Sequence, residues 1–539
     1  MFSKLTLIFL LLGFQVYAGP GDSLKRIPVQ DGGRVKPFDT FARESMQLLH
    51  GKQKYQGKDA AEIVFTMMLI PDLWINTPFI EVNLKGLKDA MKISGDEKYF
   101  SPAQLFQNER MPMLLQELRT KRDRQEKLNP YYAAVQRLES QLGMFQALRS
   151  GEAIRVVPDQ SDSWKPVVAL EGDLKDQFLK ITQSFISLVG KTQSENKSQD
   201  DSELSQAVSE FIVKAQAVNP EKYGSLRRIN VEVWYNQFHP FMWAWICYLI
   251  GALSLTAYLV NNRYVFNQLA WVGLFAGFFL HTLGMVVRIY LAGRPPVSNM
   301  YETVVWVPYG ALVFAFILER IQKSKLLLLC AAAISILCLI LTDLSPTVLD
   351  GSIHPLEPVL RSTFWLSTHV LIITIGYAAF FLAFGLGDLL LIYYFIGEEK
   401  FAKQIKQGTN SIYRCLQLGV VFLAVGTILG GVWADYSWGR FWGWDPKETW
   451  ALIALLGYLA LLHGRLVGWV KDFGLAAGSI IAFSLVVMAW YGVNFVLGAG
   501  LHSYGFGAGG VEYVTAFVVA HLLAVAYVTT LRYGRIKHK

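Results

Sequence analysis

The sequence predicts an all-α polytopic membrane protein of about nine transmembrane helices, preceded by a signal peptide and a mainly helical soluble domain. Three observations carry this prediction. Hydrophobic residues make up 53% of the 539 and charged residues only 17%. The apolar excess is concentrated after about residue 240, in successive stretches that can each cross a hydrocarbon core of about 30 Å. Lys and Arg fall largely in loops beside those stretches. The net charge of +8 therefore reflects membrane topology and gives no reason to expect a nucleic-acid partner.

Residues 1–18 read as a signal peptide. Lys4 supplies a positive start, Leu5 to Phe14 a short apolar core, and Val16-Tyr17-Ala18 resembles a cleavage site. An uncleaved anchor is the other reading of the same residues, and both put the next segment of chain outside the cytoplasm. Residues 19–235 form the exported, periplasmic domain. A Gly32-Gly33 turn precedes a helix that starts near Phe38. Ser101 to Leu128 and Tyr131 to Ser150 read as two helices broken at Asn129-Pro130. Residues 191–203 are polar, without aromatics, and read as a flexible loop. No catalytic constellation stands out here, so the domain is expected to be a scaffold or a docking surface. All four Cys (Cys247, Cys330, Cys338, Cys415) lie in or beside apolar stretches, and there is no CxxC. That argues against a disulfide framework and against thiol redox chemistry.

Residues 236–539 form the polytopic domain. Its spans are expected near 240–260, 266–291, 302–320, 324–342, 364–396, 412–434, 450–468, 473–497 and 511–532. With the N-terminal domain outside, the inner loops collect Arg263; Arg320, Lys323 and Lys325; Lys400, Lys403 and Lys406; Arg465 and Lys471; and Arg532, Arg535, Lys537 and Lys539. This is the positive-inside pattern of a cytoplasmic (inner) membrane protein.

The same topology puts an unusual segment on the periplasmic side, between spans six and seven. Five of the 15 Trp fall between Trp433 and Trp450, and the run WGRFWGWDPKETW starts at Trp438. Gly439, Gly443, Asp445 and Pro446 make it irregular. Trp this dense, with small residues between, suggests a flat surface for a large planar ligand. An ordinary interfacial aromatic belt is the competing reading.

The nine His sort by depth. His369, near the outer end of span five, and His502, after span eight, share the level of the Trp segment. Heme iron takes two axial ligands, often His. Two outer His beside an aromatic surface are what a bis-His heme site needs. Indole faces of Trp438, Trp442 and Trp444 can stack on porphyrin, and Arg440 and Lys447 can pair with propionates. His463 lies about 20 Å into the membrane from Trp450. His281 and His521 lie inside spans two and nine. A polar group in a span is a functional candidate, and a neutral His bonded to a neighbouring helix is the alternative for each.

These residues resemble the CcsA/ResC family of cytochrome c biogenesis proteins, the heme-handling core of the system II machinery. The resemblance covers roughly residues 265–505. It rests on the "WWD" segment at Trp438–Trp450 (433–450 in its wider bounds), STHVLIITIGYAAF around His369, LLHGR around His463 and GVNFVLGAGLHSYG around His502. AGRPPVSNMYETVVW (Ala292 to Trp306) matches an outer loop of the family. The resemblance implies that heme b, as substrate and transient ligand, crosses the cytoplasmic membrane. It is then presented outside for covalent attachment to the CxxCH motif of apocytochrome c. His369 and His502 would be the outer axial ligands and His463 a membrane ligand. Trp438, Trp442, Trp444, Asp445, Arg440 and Lys447 would form the platform, and His281 is not a regular family position. A CcsB/ResB-like membrane partner would supply the second membrane ligand, the chain being one subunit of a holocytochrome c synthase. Phe441 stands where the family often has Trp. Three other readings remain at this point: a bis-His b-type electron-transfer protein, a heme relay to a chaperone without attachment, and a substrate channel or transporter without heme.

Overall fold

The computed structural model describes residues 21–537, apart from 125, 127, 160–162, 191–196, 346–347, 357–361 and 498–508. Residues 1–18, read as a signal peptide, and His502 therefore lie outside the described residues. The chain divides into two compact units, Met1–Phe238 and His239–Lys539.

The first unit is mainly helical, with four small two-stranded antiparallel sheets among the described residues. The Gly32-Gly33 turn joins strands Pro28–Asp31 and Arg34–Pro37, and a helix begins at Phe38 as expected. Aromatic contacts run through its core: Phe65 meets Phe38 and Phe185 edge-on, and Phe178 meets Phe211. Arg34 forms a two-point ion pair with buried Glu232, which also accepts from Thr40 Oγ1. That cluster ties the last helix of the unit, Leu226–Phe238, to the first hairpin.

Two expectations need correction here. The stretch read as a loop over 191–203 is helical from Lys197, in a helix running to Val218. Leu204, Ala207, Val208, Phe211 and Ala215 recur at helical spacing and are buried. The polar residues before them belong to the same helix, so packing further along overrides local composition. The helix expected over Ser101–Leu128 is two helices, Pro102–Phe106 and Met111–Asp123. The Asn108 side chain accepts from Arg110 N at 3.0 Å and turns the chain between them.

The second unit carries the membrane helices, and among the described residues nine helical segments are long and apolar enough to span. We label their helices α1 (Pro240–Asn261), α2 (Tyr264–Ala292), α3 (Met300–Gln322), α4 (Lys325–Leu344), α5 (Leu371–Gly397), α6 (Ala402–Trp438), α7 (Pro446–Leu466), α8 (Asp472–Val487) and α9 (Val511–Lys537). The protein is a multi-pass membrane protein. Two π-helical stretches interrupt the pattern: Leu366–Val370 leads into α5, and Met488–Leu497 continues α8.

Helix α5 is central. Protein buries 67% of its span's most apolar window, against 17% for α7 and 11% for α9. Those two helices therefore offer most of their surface to lipid or to other chains. Small residues let backbones approach. A Cβ on Gly273 of α2 would stand 2.7 Å from the Gly251 nitrogen of α1. One on Gly426 of α6 would stand 2.7 Å from Ile373 of α5.

Several polar side chains inside the bundle tie helices together. His281, fully buried, donates from Nε2 to the Val305 carbonyl (3.1 Å) and accepts the Tyr248 hydroxyl at Nδ1 (3.2 Å). One imidazole thus ties α1, α2 and α3, beside the turn that Pro308 deprives of a backbone donor. His281, a candidate heme ligand by sequence, is a helix-tying histidine here, with both ring nitrogens engaged. His521 of α9 donates from Nδ1 to Phe517 O and lies 3.5 Å from Asp388 of α5.

Buried Arg288 of α2 pairs with buried Glu302 of α3 at 2.9 Å and also donates to Gly351 O. Glu302 accepts from Ser298 N and Oγ in the α2–α3 loop. Breaking such a pair leaves a buried charge uncompensated, at about 3–5 kcal/mol. Arg288→Met is expected to lower the thermal unfolding temperature of the detergent-solubilised chain, whereas Lys400→Met on the exposed α5–α6 turn should leave it unchanged.

Candidate functional site

A cavity opens at the end of the bundle that carries the Trp segment. Its volume is about 170 Å³, and it opens to the outside. Residues from the α2–α3 loop, α3, both π-helical stretches, α5, α6 and the start of α7 line it.

His369 sits in the first π-helical stretch and lines this cavity. A π turn holds an extra residue and re-aims the side chains it carries, which is why such turns gather at functional sites. His369 Nδ1 is 2.8 Å from the Gly426 carbonyl of α6. A carbonyl only accepts, so Nδ1 carries the proton and Nε2 carries the lone pair. That is the tautomer a metal-binding imidazole needs, held by the usual kind of outer partner. The ring lies in a slot that Gly430 keeps open: a Cβ there would stand 2.6 Å from Cε1.

Three indoles line the cavity: Trp433 of α6, Trp442 of the α6–α7 loop and Trp490 of the second π stretch. Trp433 meets His369 at 5.7 Å between ring centroids, and Trp442 meets Trp444 edge-on at 5.9 Å. Trp490 Nε1 donates to Thr303 Oγ1 at 3.0 Å, which fixes its ring.

The Trp segment is less irregular than its composition implies. Trp438 ends α6 and Pro446 begins α7, so only residues 439–445 leave the helical path. Gly439 takes the left-handed conformation that closes α6 (φ 67°), and Asp445 caps α7 by accepting from Lys447 N at 2.9 Å. Glu448 organises the loop. It accepts from Gly443 N (2.7 Å) and Asp445 N (3.2 Å) and pairs with Arg440 at 3.2 Å. A Cβ at Gly443 would collide with the Arg440 guanidinium. Trp444 holds φ 56°, unusual for a bulky residue, and leaves its side chain exposed.

Of the residues singled out by sequence, His369, Trp442 and Lys447 meet in the cavity. Trp438, Arg440, Trp444 and Asp445 do not line it. Arg440 lies over Trp438 at 5.7 Å while pairing with Glu448, so it holds the loop. Asp445 is the α7 cap. Phe441 packs on Gly431, where a Cβ would lie 2.7 Å from its ring, and is not in the lining. His463 is exposed in the last turn of α7 and donates from Nδ1 to Leu459 O at 2.7 Å. It therefore points away from the bundle, far along α7 from the Trp segment. Sequence reasoning passed over Glu448, Trp490 and Asn494. The Asp-Pro-Lys-Glu run at 445–448 is a capping-box pattern that could have flagged Glu448, and Asn494 is a polar residue in a span.

Comparison with known proteins agrees with this architecture. A model of the family described as "Cytochrome C assembly protein" matches residues 297–502, which contain the whole lining. "Cytochrome c biogenesis protein CcsA" of Prochlorococcus marinus (strain NATL2A) is 31% identical over 296 residues, covering 48% of this chain and 91% of the relative. CcsA of Chlorella vulgaris is 32% identical over 302 residues, covering 48% and 94%. "Protein NrfI" of Wolinella succinogenes is 28% identical over 493 residues, or 88% of this chain, so that likeness extends well into the N-terminal unit. The chain spans only about half (53%) of the NrfI length. On these matches the chain belongs to the CcsA family of cytochrome c biogenesis proteins.

Proposed function

We propose that this protein carries heme b across the cytoplasmic membrane. It then presents the heme in the Trp-lined cavity, on the periplasmic side, for covalent attachment to the CxxCH motif of an apocytochrome c. The observation that carries the reading is His369. Its Nδ1 proton is tied to Gly426, its Nε2 lone pair belongs to a ring lining the cavity, and indoles stand around it. Heme is cargo here, and the lining suits it. Imidazole can ligate the iron, Trp433, Trp442 and Trp490 offer aromatic faces, and Lys447 offers a cation for a propionate. Trp438, Trp444, Asp445 and Arg440 then serve the platform as its rim and frame.

His502 is the second outer ligand in this reading, on the strength of the GLHSYG wording after Asn494. His463, on the outward face of α7, is a membrane ligand that a CcsB/ResB-like partner completes. That partner would dock where α7 leaves most of its surface uncovered by protein. The chain's part in attachment is to position: it holds the vinyl groups toward an open side while the client's two thiols add to them. Positioning alone can be worth about 7–11 kcal/mol of barrier.

Coexpression with the partner and a CxxCH-bearing apocytochrome tests the reading. Covalent, heme-stained cytochrome is expected with this chain and not without it. Lys447→Met should weaken heme retention by about ten- to hundredfold, the weight of one charge-assisted contact, as read by heme loss to apomyoglobin. Unchanged retention would remove Lys447 from the site. The b-type electron-transfer reading needs paired His on facing spans. His281 with both nitrogens engaged and His463 turned outward favour presentation over that alternative.

A further inference from the structure

The first turns of α3 contain the run Glu302-Thr303-Val304-Val305-Trp306. Two of these residues are held from α2. Glu302 pairs with Arg288 at 2.9 Å, and the Val305 carbonyl accepts from His281 at 3.1 Å. Two others reach the walls of the cavity. Thr303, which lines it, accepts the Trp490 indole N–H at Oγ1 (3.0 Å) and donates its own proton to Met300 O (2.9 Å). Trp306 Nε1 donates to Thr374 Oγ1 of α5 at 3.0 Å, and that hydroxyl donates to Val370 O at 2.6 Å. Each hydroxyl thus has its single proton and a lone pair in use. Thr303 and Trp306 stand three residues apart, so both lie on one side of the helix.

Trp490 belongs to one π-helical stretch, Met488–Leu497. Val370 ends the other, one residue past His369. The start of α3 therefore bonds to both stretches while α2 holds it in place. We infer that Thr303 and Trp306 are positioning residues for heme: they fix Trp490 and the turn of His369 relative to each other, and so set the opening that receives the porphyrin. This rests on the heme-presentation reading. Thr303 acts through Trp490. With its N–H taken, that indole offers the cavity an aromatic face and no donor. An indole N–H that loses its acceptor is unfavourable, so without the Thr303 hydroxyl the ring is expected to turn toward another partner. Trp306 acts through Thr374 and Val370 on the turn that aims His369.

The test measures heme loss to apomyoglobin from the heme-loaded full chain with its partner. Thr303→Val keeps the shape of the side chain without the hydroxyl, Thr303→Ser keeps the hydroxyl, and Trp306→Phe keeps a ring without the N–H. Heme retention is expected to weaken about three- to tenfold in Thr303→Val and in Trp306→Phe, with Thr303→Ser close to wild type. In Trp490→Phe there is no N–H for Thr303 to accept, so adding Thr303→Val should cost nothing further. Thermal unfolding of the heme-free chains is followed alongside. A Thr303→Val chain that unfolds earlier yet retains heme as wild type does would overturn the inference and leave the bridge to packing alone. Equal losses in Thr303→Val and Thr303→Ser, or an additive loss on top of Trp490→Phe, would overturn it too, because the hydroxyl's bond to the indole would not be the cause. A wild-type chain that takes up no heme contradicts heme presentation itself, and the role of both residues with it.

Discussion

His369→Ala is expected to reduce holocytochrome c formation at least about 100-fold. Even outer-shell partners of metal-bound histidines are worth about 10–100-fold, and this substitution removes the ligand itself. The imidazole bonds a backbone carbonyl of α6 and lies against Gly430 and Trp433. The variant should accumulate in the membrane as wild type does while its heme content falls. Added imidazole, small enough to occupy the vacated slot, should restore part of the maturation. Full maturation without imidazole would remove His369 from the mechanism.

Gly430→Ala should produce nearly the same loss without touching a ligand. A methyl at this position would stand 2.6 Å from His369 Cε1 and 3.1 Å from Nδ1. The α6 backbone cannot retreat, because Gly426, one turn earlier, already lies against Ile373. The imidazole must therefore swing, and the bond to Gly426 that sets its tautomer is lost. Heme affinity is expected to fall about 10–100-fold. Coupling distinguishes this from general damage. In His369→Ala the slot is empty and the methyl meets nothing, so the double variant should match His369→Ala alone. An additive loss in the double variant would mean that Gly430 acts by some other route.

Much of the membrane unit was legible in the sequence, because apolar length is written locally. The span expected at 240–260 is the helix Pro240–Asn261, and the one expected at 473–497 is α8 with its π continuation. The ends of the Trp segment were missed: Gly439 and Asp445-Pro446 are a stop and a start signal, yet they read only as breaks, and the flanking helices run to Trp438 and from Pro446. What escaped depends on contacts between helices. Hydropathy does not distinguish an α turn from a π turn, so nothing marked Leu366–Val370 as the device that orients His369. Gly430 reads as one more small residue until the imidazole is seen against it. His281 could not be told from a ligand until Tyr248 and the Val305 carbonyl were seen at its two nitrogens. Arg440 reads as a free cation for a propionate, whereas Glu448 takes it. In the N-terminal unit, residues 197–203 have the composition of a loop and the structure of a helix, because the apolar face that holds them begins at Leu204.

The most direct measurement is the optical and EPR spectrum of the purified chain with its partner, wild type against His369→Ala, with and without imidazole. Heme ligated by His369 predicts a low-spin bis-histidine spectrum in the wild type. It should turn high-spin or disappear in the variant, and return as imidazole is added. A His369→Ala protein that keeps the wild-type low-spin spectrum would place the iron on other ligands and contradict the site described here.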